Sequence, residues 1–427
     1  MTDDIVSLLT RRGVLSGGEL QRALRISAAT LSRQVRGAER ILRIGRTRGA
    51  RYAAYRRVAG LPSRLPIFRV DAEGDVQLVA NLHLLSLGQH WLEPMTATST
   101  LFAGLPLIIA DMAPQGFLGR RFAEIHADLA LPRRLQDWND DHRLIATARR
   151  GEDCIGNLIV GEESLHRFLD NAATSVKRQD YPALARIAAE RGAGSSAGGE
   201  QPKFTAWREA RHLIVKFTAG DGSAADQRWR DLLVCEWLAT EILNENGISA
   251  AQAEIVDVGP QRFLEVERFD RIGERGRRGV LTAGPLDDEL YGQRDNWPAF
   301  AERMTRDRLL APEQIRRIRL LEAFGQLIGN SDRHFGNLSF FADGLSHMPT
   351  LQLAPVYDMV PMAWAPYNGI VPALDLPAAR PRANILDVWQ AALRLAQLFW
   401  RRVATDDRIS RELRTVAVEA ATLLDRG

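Results

Sequence analysis

The sequence predicts an α+β chain: a two-lobed domain preceded by a small, basic, largely helical one. Three observations carry this. Residues 1–57 hold 13 arginines against only Asp3, Asp4, Glu19 and Glu39, a local excess of +9 in a chain whose total charge is +3. A glycine- and serine-rich stretch at 192–199 is followed by short β-branched strand patterns. Apolar-periodic helices then fill the C-terminal third, around two polar loops. At 427 residues the chain can build two to four cores. Its 45% hydrophobic and 26% charged residues exclude a disordered chain. No apolar run approaches the roughly 18 residues of a membrane span, so no membrane partner is expected. The acidic start "MTDDIVSLLTRR" lacks a basic-then-apolar export signal. Cys154 and Cys235 have no metal-ligand spacing, which fits a reduced, cytoplasmic protein.

Residues 1–58 form the first predicted unit. Ile5, Leu8 and Leu9 recur at helical spacing. Ser16 and Glu19 make a capping box for a second helix with Leu20, Ala23 and Leu24. Ser27 caps a third, "AATLSRQVR", with Leu31 and Val35 inward and Thr30, Ser32, Arg33 and Arg36 outward. Leu42 and Ile44, then Tyr52 and Ala54, alternate around Arg48-Gly49 as a hairpin. This order spells a winged helix-turn-helix that binds duplex DNA. The outward helix residues would enter a major groove, and Arg46 and Arg48 would meet phosphates. A basic domain that binds a protein is the competing reading. A twofold operator would imply a homodimer, although no dimer surface is legible.

"AGLPSRLPIF", residues 59–68, has two prolines and reads as a linker. Residues 69–270 make the first lobe. It opens with a hairpin around Glu73-Gly74, a helix near Arg120–Leu129 and a strand in "GEDCIGNLIVG", none of which carries recognisable chemistry.

Chemistry begins at "RGAGSSAGGEQPKF", residues 191–204, whose glycines, Gly198 and Gly199 among them, let backbone amides approach a phosphate. "RHLIVKFTA" then places Lys216 on a strand. Only Lys177, Lys203 and Lys216 are lysines among 56 basic residues, so those retained suit tasks needing a compact ammonium. Glycine-rich loop, strand and strand lysine is the order in which protein kinases grip ATP. "FLEVERFDR" alternates and then stops at Arg268-Phe269-Asp270, where a kinase strand becomes the interlobe hinge.

The second lobe spans residues 271–427. "EQIRRIRLLEAFGQLIGNSD" is a helix through Ile318, Leu321 and Ile328. After it, Asp332 and Asn337 have the D-x₄-N spacing of a kinase catalytic loop. There, one carboxylate orients the proton of an attacking hydroxyl and one amide oxygen reaches Mg²⁺ on the phosphates. "LQLAPVYDMVP" supplies Asp358 as a second ligand from an apolar strand. Such an all-oxygen set suits magnesium and not zinc. From about Ala378 the pattern is helical, with Leu386, Trp389, Leu393, Ala396 and Trp400 on one stripe. Each piece alone has a bland explanation: a surface loop, a solvent-facing lysine, an Asx-rich turn. Their joint order favours a phosphotransferase.

"SSAGGEQPKF", "LIVKF", "VERFDR", "GNSDRHFGN" and "LAPVYDMVP", in that order, resemble the HipA family of toxin–antitoxin serine/threonine kinases. The resemblance spans roughly residues 65–410, and the fused N-terminal helix-turn-helix is similar to the YjjJ-type branch. It implies a bilobal kinase-like fold related to phosphoinositide kinases. It also implies Asp332 as catalytic base, Asn337 and Asp358 as magnesium ligands and Lys216 on the α/β-phosphates of ATP. The backbone of Glu267 and Phe269 would meet adenine, Asp270 the ribose, and His334 would orient Asp332 or a phosphate. Ser196, with Ser195 beside it, matches the autophosphorylated serine; phosphorylation would eject the loop and switch the enzyme off. An aminoacyl-tRNA synthetase is the implied kind of protein substrate, and a HipB-like antitoxin the implied partner. Glu200 departs from the small residue usual in the loop, and Glu236 is the expected acidic partner of Lys216. The alternatives are a small-molecule or lipid kinase on the same fold, or a nucleotide-sensing transcriptional regulator.

Overall fold

The structure is a computed structural model that describes residues 2–45, 49–171, 173–190, 201–342, 351–367, 370–375 and 380–426. Helix starts at the N-terminus follow from their caps. The Ser16 hydroxyl accepts from Glu19 N (3.2 Å) while Glu19 Oε2 accepts from Ser16 N (2.7 Å), opening the helix Gly17–Leu24. Ser27 likewise accepts from Thr30 N (3.1 Å) and starts the helix Ala28–Val35. With the helix Thr2–Arg12 these pack Ile5, Leu9, Leu20 and Leu31 into one core. Three antiparallel strands complete the unit, in the order Leu15–Ser16, Arg51–Ala54, Ile41–Ile44. Ser32, Arg33 and Arg36 are exposed, but Thr30 is half-buried, its hydroxyl 3.0 Å from that of Ser27. Thr30 thus also serves the cap. Arg46 and Arg48 lie outside the described residues.

The expected linker is no linker beyond its first few residues. From Arg64 it is the strand Arg64–Val70, paired to Val76–Leu84 on one side and to Leu158–Val160 on the other. Pro66 fits because only Ile67–Arg69 pair with Leu158–Val160, so its missing N–H breaks no bond on that side. This five-stranded sheet and the helices Leu107–Met112, Gly116–Ile125 and Asp140–Arg150 enclose a separate core around Ile67, Leu82, Ile109 and Leu144. The middle of the chain is therefore its own layer.

The four-stranded sheet of the first lobe is antiparallel throughout, in the order Ala253–Val258, Gln261–Glu267, Arg211–Phe217, Lys203–Arg208. The 22-residue helix Ala224–Glu245 packs beside it. In the second lobe, the helices Trp297–Arg306, Pro312–Leu327, Trp389–Thr405 and Arg411–Arg426 surround Phe324, Trp364, Phe399 and Trp400. Ile318, Leu321 and Ile328 are buried as expected. The C-terminal stripe holds except at its first residue: Ala396 and Trp400 are buried, and Trp389 and Leu393 pack partly buried against the core. Leu386 alone is 58% exposed, and the buried face runs through Ala392, Leu395, Ala396, Phe399, Trp400 and Val403. The cause is that 383–388 form a 3₁₀ segment, so an α-helical period counted from Leu386 drifts. No helix among the described residues is long and apolar enough to cross a membrane.

A three-stranded sheet, Val280–Thr282, Ser339–Phe341 and Gln352–Leu353, sits at the lobe junction and positions the site. The loop 328–338 leads into its middle strand and the loop 354–361 leaves its last one. That last strand is only two residues long, shorter than the apolar run suggested. Asp111 of the middle layer anchors the sheet, accepting from Thr282 N (2.7 Å) and Thr282 Oγ1 (2.6 Å).

Candidate active site

The centre of the site is a buried ion triad. Lys216 Nζ donates to Glu236 Oε1 (2.6 Å) and Oε2 (2.8 Å), and also to Asp358 Oδ1. The strand supplies the lysine, the long helix the glutamate and the loop 354–361 the aspartate, so three distant segments meet at one ammonium. Burial opposes the Lys216 charge, but Asp358 and Glu236 outweigh it and raise its pKa. Burial raises the Glu236 carboxyl against the pull of Lys216. Burial would raise Asp358 too, yet Lys216, Lys203 and His334 bring it down to about 2. Lys203 stands directly across the ladder from Lys216, which puts both side chains on one face of the sheet. Two of the three lysines in the chain therefore serve one cluster of carboxylates.

Asp358 has φ +54°, a left-handed conformation that costs a non-glycine residue about 1–2 kcal/mol. It is held there at both ends. Its carboxylate grips Lys216, and its carbonyl accepts from Asn330 Nδ2 (3.3 Å). The same Asn330 accepts from Asp332 N at 3.0 Å. Asn330, 2% exposed, therefore ties the Asp332 loop to the Asp358 loop.

Asn337 donates from Nδ2 to the Asp332 carbonyl (2.9 Å), which fixes the amide orientation and leaves Oδ1 as its acceptor atom. His334 Nδ1 accepts from Gly336 N (3.0 Å), and its Nε2 lies 3.8 Å from Asp332 Oδ1, both side chains about half exposed. Its carbonyl accepts from Trp297 Nε1 (3.0 Å). Arg333 turns back to pair with the buried Glu322 (3.2 Å) and lies against Gly325, where a Cβ would stand 2.6 Å from Arg333 Cδ. Tyr357, just before Asp358, donates to the Gly336 carbonyl (2.7 Å) and sits 2.7 Å from the Ser339 hydroxyl. Its ring packs on Phe269, centroids 5.7 Å apart, so the hinge leans on the same scaffold.

At the hinge, Glu267 N donates to the Gln252 carbonyl (2.8 Å) and Arg268 N to the His212 carbonyl (2.9 Å). Asp270 does not join the site. It is 4% exposed, and its carboxylate is taken by Arg268 Nε (3.1 Å), Arg271 Nη1 (2.7 Å) and Gly156 N (3.0 Å). Burial works against its charge, but Arg268 and Arg271 hold its pKa far below the usual carboxylate range. That carboxylate staples the middle layer to the hinge and has no reach toward a ribose. Ser195, Ser196, Gly198, Gly199 and Glu200 lie outside the described residues.

Asn330, Tyr357 and the Glu322–Arg333 pair were not singled out from sequence. The Asn-Ser-Asp run offered one signal, since an Asn two residues before an Asp favours an Asx turn onto its backbone. Tyr357 offered none, because its role depends on where the neighbouring strand places Ser339.

Residues 61–169 match the YjjJ-like toxin middle domain, and residues 195–422 the HipA-like C-terminal domain. The chain is 36% identical to Toxin YjjJ of Escherichia coli (strain K12), covering 96% of this chain and 95% of that one. A chain of the Shewanella oneidensis MR-1 toxin–antitoxin complex of HipA, HipB and operator DNA superposes with TM-score 0.52 at 16% identity. It covers 85% of this chain and 97% of its own, and shows the shared fold. Fold and motif order together define a HipA-like protein. Within that class, the chain belongs to the YjjJ-like toxin family.

Proposed function

We propose that the chain is an Mg–ATP-dependent serine/threonine protein kinase that also phosphorylates its own glycine-rich loop at Ser196 or Ser195. The observation that carries this reading is the meeting of Lys216, Glu236 and Asp358, tied through Asn330 to the loop of Asp332 and Asn337. Asn337 Oδ1 and the Asp358 carboxylate are hard oxygen donors that fit magnesium. Bound there, the ion would neutralise charge on the transferred phosphoryl group. Lys216 exchanges Asp358 for phosphate oxygens and keeps Glu236 as its positioning partner. Asp332 takes the proton of the acceptor hydroxyl as its oxygen attacks the γ-phosphorus and ADP leaves. His334, beside Asp332, orients that carboxylate, and the Glu267 and Phe269 backbone receives adenine. Full-length protein with labelled ATP and magnesium should label itself, and Asp332→Ala should not. Equal labelling of the two contradicts the assignment. A translation protein such as an aminoacyl-tRNA synthetase is the external substrate that the family suggests. Transfer to lipid or small molecules, with no phosphoserine on any protein, would favour the alternative acceptor.

The N-terminal unit supports a second role, binding duplex DNA. Its order of helix, strand, two helices and two strands supports the winged helix-turn-helix reading, with Ser32 and Arg33 exposed on the third helix and Arg36 exposed at its C-cap. The related complex contains operator DNA and HipB, which makes an antitoxin partner reasonable here too. Arg33→Ala and Arg36→Ala in the full chain should each weaken DNA binding and lower its salt slope by about one. An unchanged slope counts against the reading.

A further inference from the structure

At the other end of the strand that carries Lys216, between the middle layer and the hinge, lies a cavity of about 270 Å³. Arg268, Arg271, Arg275, Arg277, Glu152 and Trp207 are among its lining residues. Two of these arginines are already neutralised. Arg268 pairs with Asp153 (2.6 Å) and Asp270 (3.0 Å), and Arg271 with Asp153 (3.0 Å) and Asp270 (2.7 Å).

Arg277 is different. It is 5% exposed, its guanidinium stacks 4.6 Å above the Phe168 ring, and Nη2 donates to the Glu152 carbonyl. Among the described residues its Nη1 has no hydrogen-bond partner, and no described carboxylate pairs with it. A buried guanidinium N–H left unmatched costs its full desolvation penalty, so such groups point to something missing. Burial and the charges of Arg271 and Arg268 pull Arg277 down to about 9, against the opposing pull of Asp153 and Asp270. Glu152 Oε2 is also buried without a partner.

We propose that this cavity binds a small anion whose phosphate or carboxylate group sits on Arg277 Nη1 and whose body donates a hydrogen bond to Glu152 Oε2. At about 30 Å³ per water the space holds roughly nine waters, enough for a compact metabolite and too little for a folded partner. Arg268 lies between Glu267 and Phe269, so an occupant bears on the hinge; that link rests on the kinase reading, whereas the site itself does not.

The test is thermal unfolding of the full chain with inorganic phosphate, glycerol 3-phosphate or glycolate, ionic strength held constant with sodium chloride. The expected result is a saturable rise in Tm with at least one of the three, and their ranking separates phosphate from carboxylate. Arg277→Gln and the exposed-rim variant Arg275→Glu should each weaken that binding about tenfold, and Lys216→Met should leave it intact. If Arg277→Gln does not fold, Arg275→Glu still decides. No saturable shift with any probe overturns the proposal. So does binding that survives both arginine changes or is abolished by Lys216→Met, which would place the anion in the nucleotide cleft. With the site saturated, ATP affinity should change in the wild type and not in Arg275→Glu; an unchanged wild-type affinity refutes the hinge link.

Discussion

Replacing Lys216 with Met should expose how much the buried triad depends on its one ammonium. Lys216 and Glu236 are 8% and 5% exposed at the side chain and meet at 2.6 Å and 2.8 Å. At an effective dielectric of about 20 that attraction is roughly 6 kcal/mol. Desolvation offsets part of it, so breaking the pair and leaving Glu236 behind should cost about 3–5 kcal/mol. At roughly 2–4 °C per kcal/mol, Tm should fall by roughly 10 °C. The loss should depend on pH. Burial raises the Glu236 carboxyl, and without Lys216 it rises further. The folded state then holds a proton more tightly than the unfolded state, so stability falls as pH rises above the ordinary carboxylate range. The deficit should be smallest near pH 5 and largest near pH 8. Denaturant unfolding of Lys216→Met, Glu236→Leu and the double variant closes the cycle. The double variant should be more stable than Lys216→Met alone, although equally unable to label itself. If the two losses simply add, the pair is not coupled and the reasoning fails.

Two further predictions concern the loops. Asn330→Ala removes the acceptor of Asp332 N and the donor to the Asp358 carbonyl, so kcat should drop roughly 10–100-fold. ATP affinity should change far less, because the hinge and Lys216 stay in place; equilibrium nucleotide binding beside steady-state rates would expose any other pattern. Gly325→Ala places a Cβ 2.6 Å from Arg333 Cδ and 3.4 Å from Met359 Sδ, next to both functional loops. This overpacking should cost about 1–3 kcal/mol and lower activity with Tm, and a variant as active and stable as the parent would show that Arg333 yields freely.

Local chemistry made much of this chain legible. Ser16 with Glu19 and Ser27 mark helix starts because a hydroxyl three residues from a free amide satisfies it wherever the chain goes. Lys216, Glu236 and Asp358 were legible as types in an order, and the structure brings them together. The failures lie where a distant neighbour sets the outcome. Asp270 follows the hinge in sequence as a ribose ligand would, but Arg268, Arg271 and Gly156 of another layer claim its carboxylate. Arg64–Phe68 look like a linker until Val76–Leu84 and Leu158–Val160 pair with the strand they begin.

By itself, the sequence determined the caps, the basic N-terminal unit, the identity of the charged groups and their order along the chain. Tertiary structure alone decided which groups face each other: that Asn330 bridges two loops, that Asp270 is a staple, and that Arg277 is buried beside a cavity with its Nη1 unmatched. The physical reason is range. Caps and periodicity are settled within a few residues, whereas a buried charge is settled by whichever opposite charge packing brings within about 3 Å, from any distance along the chain.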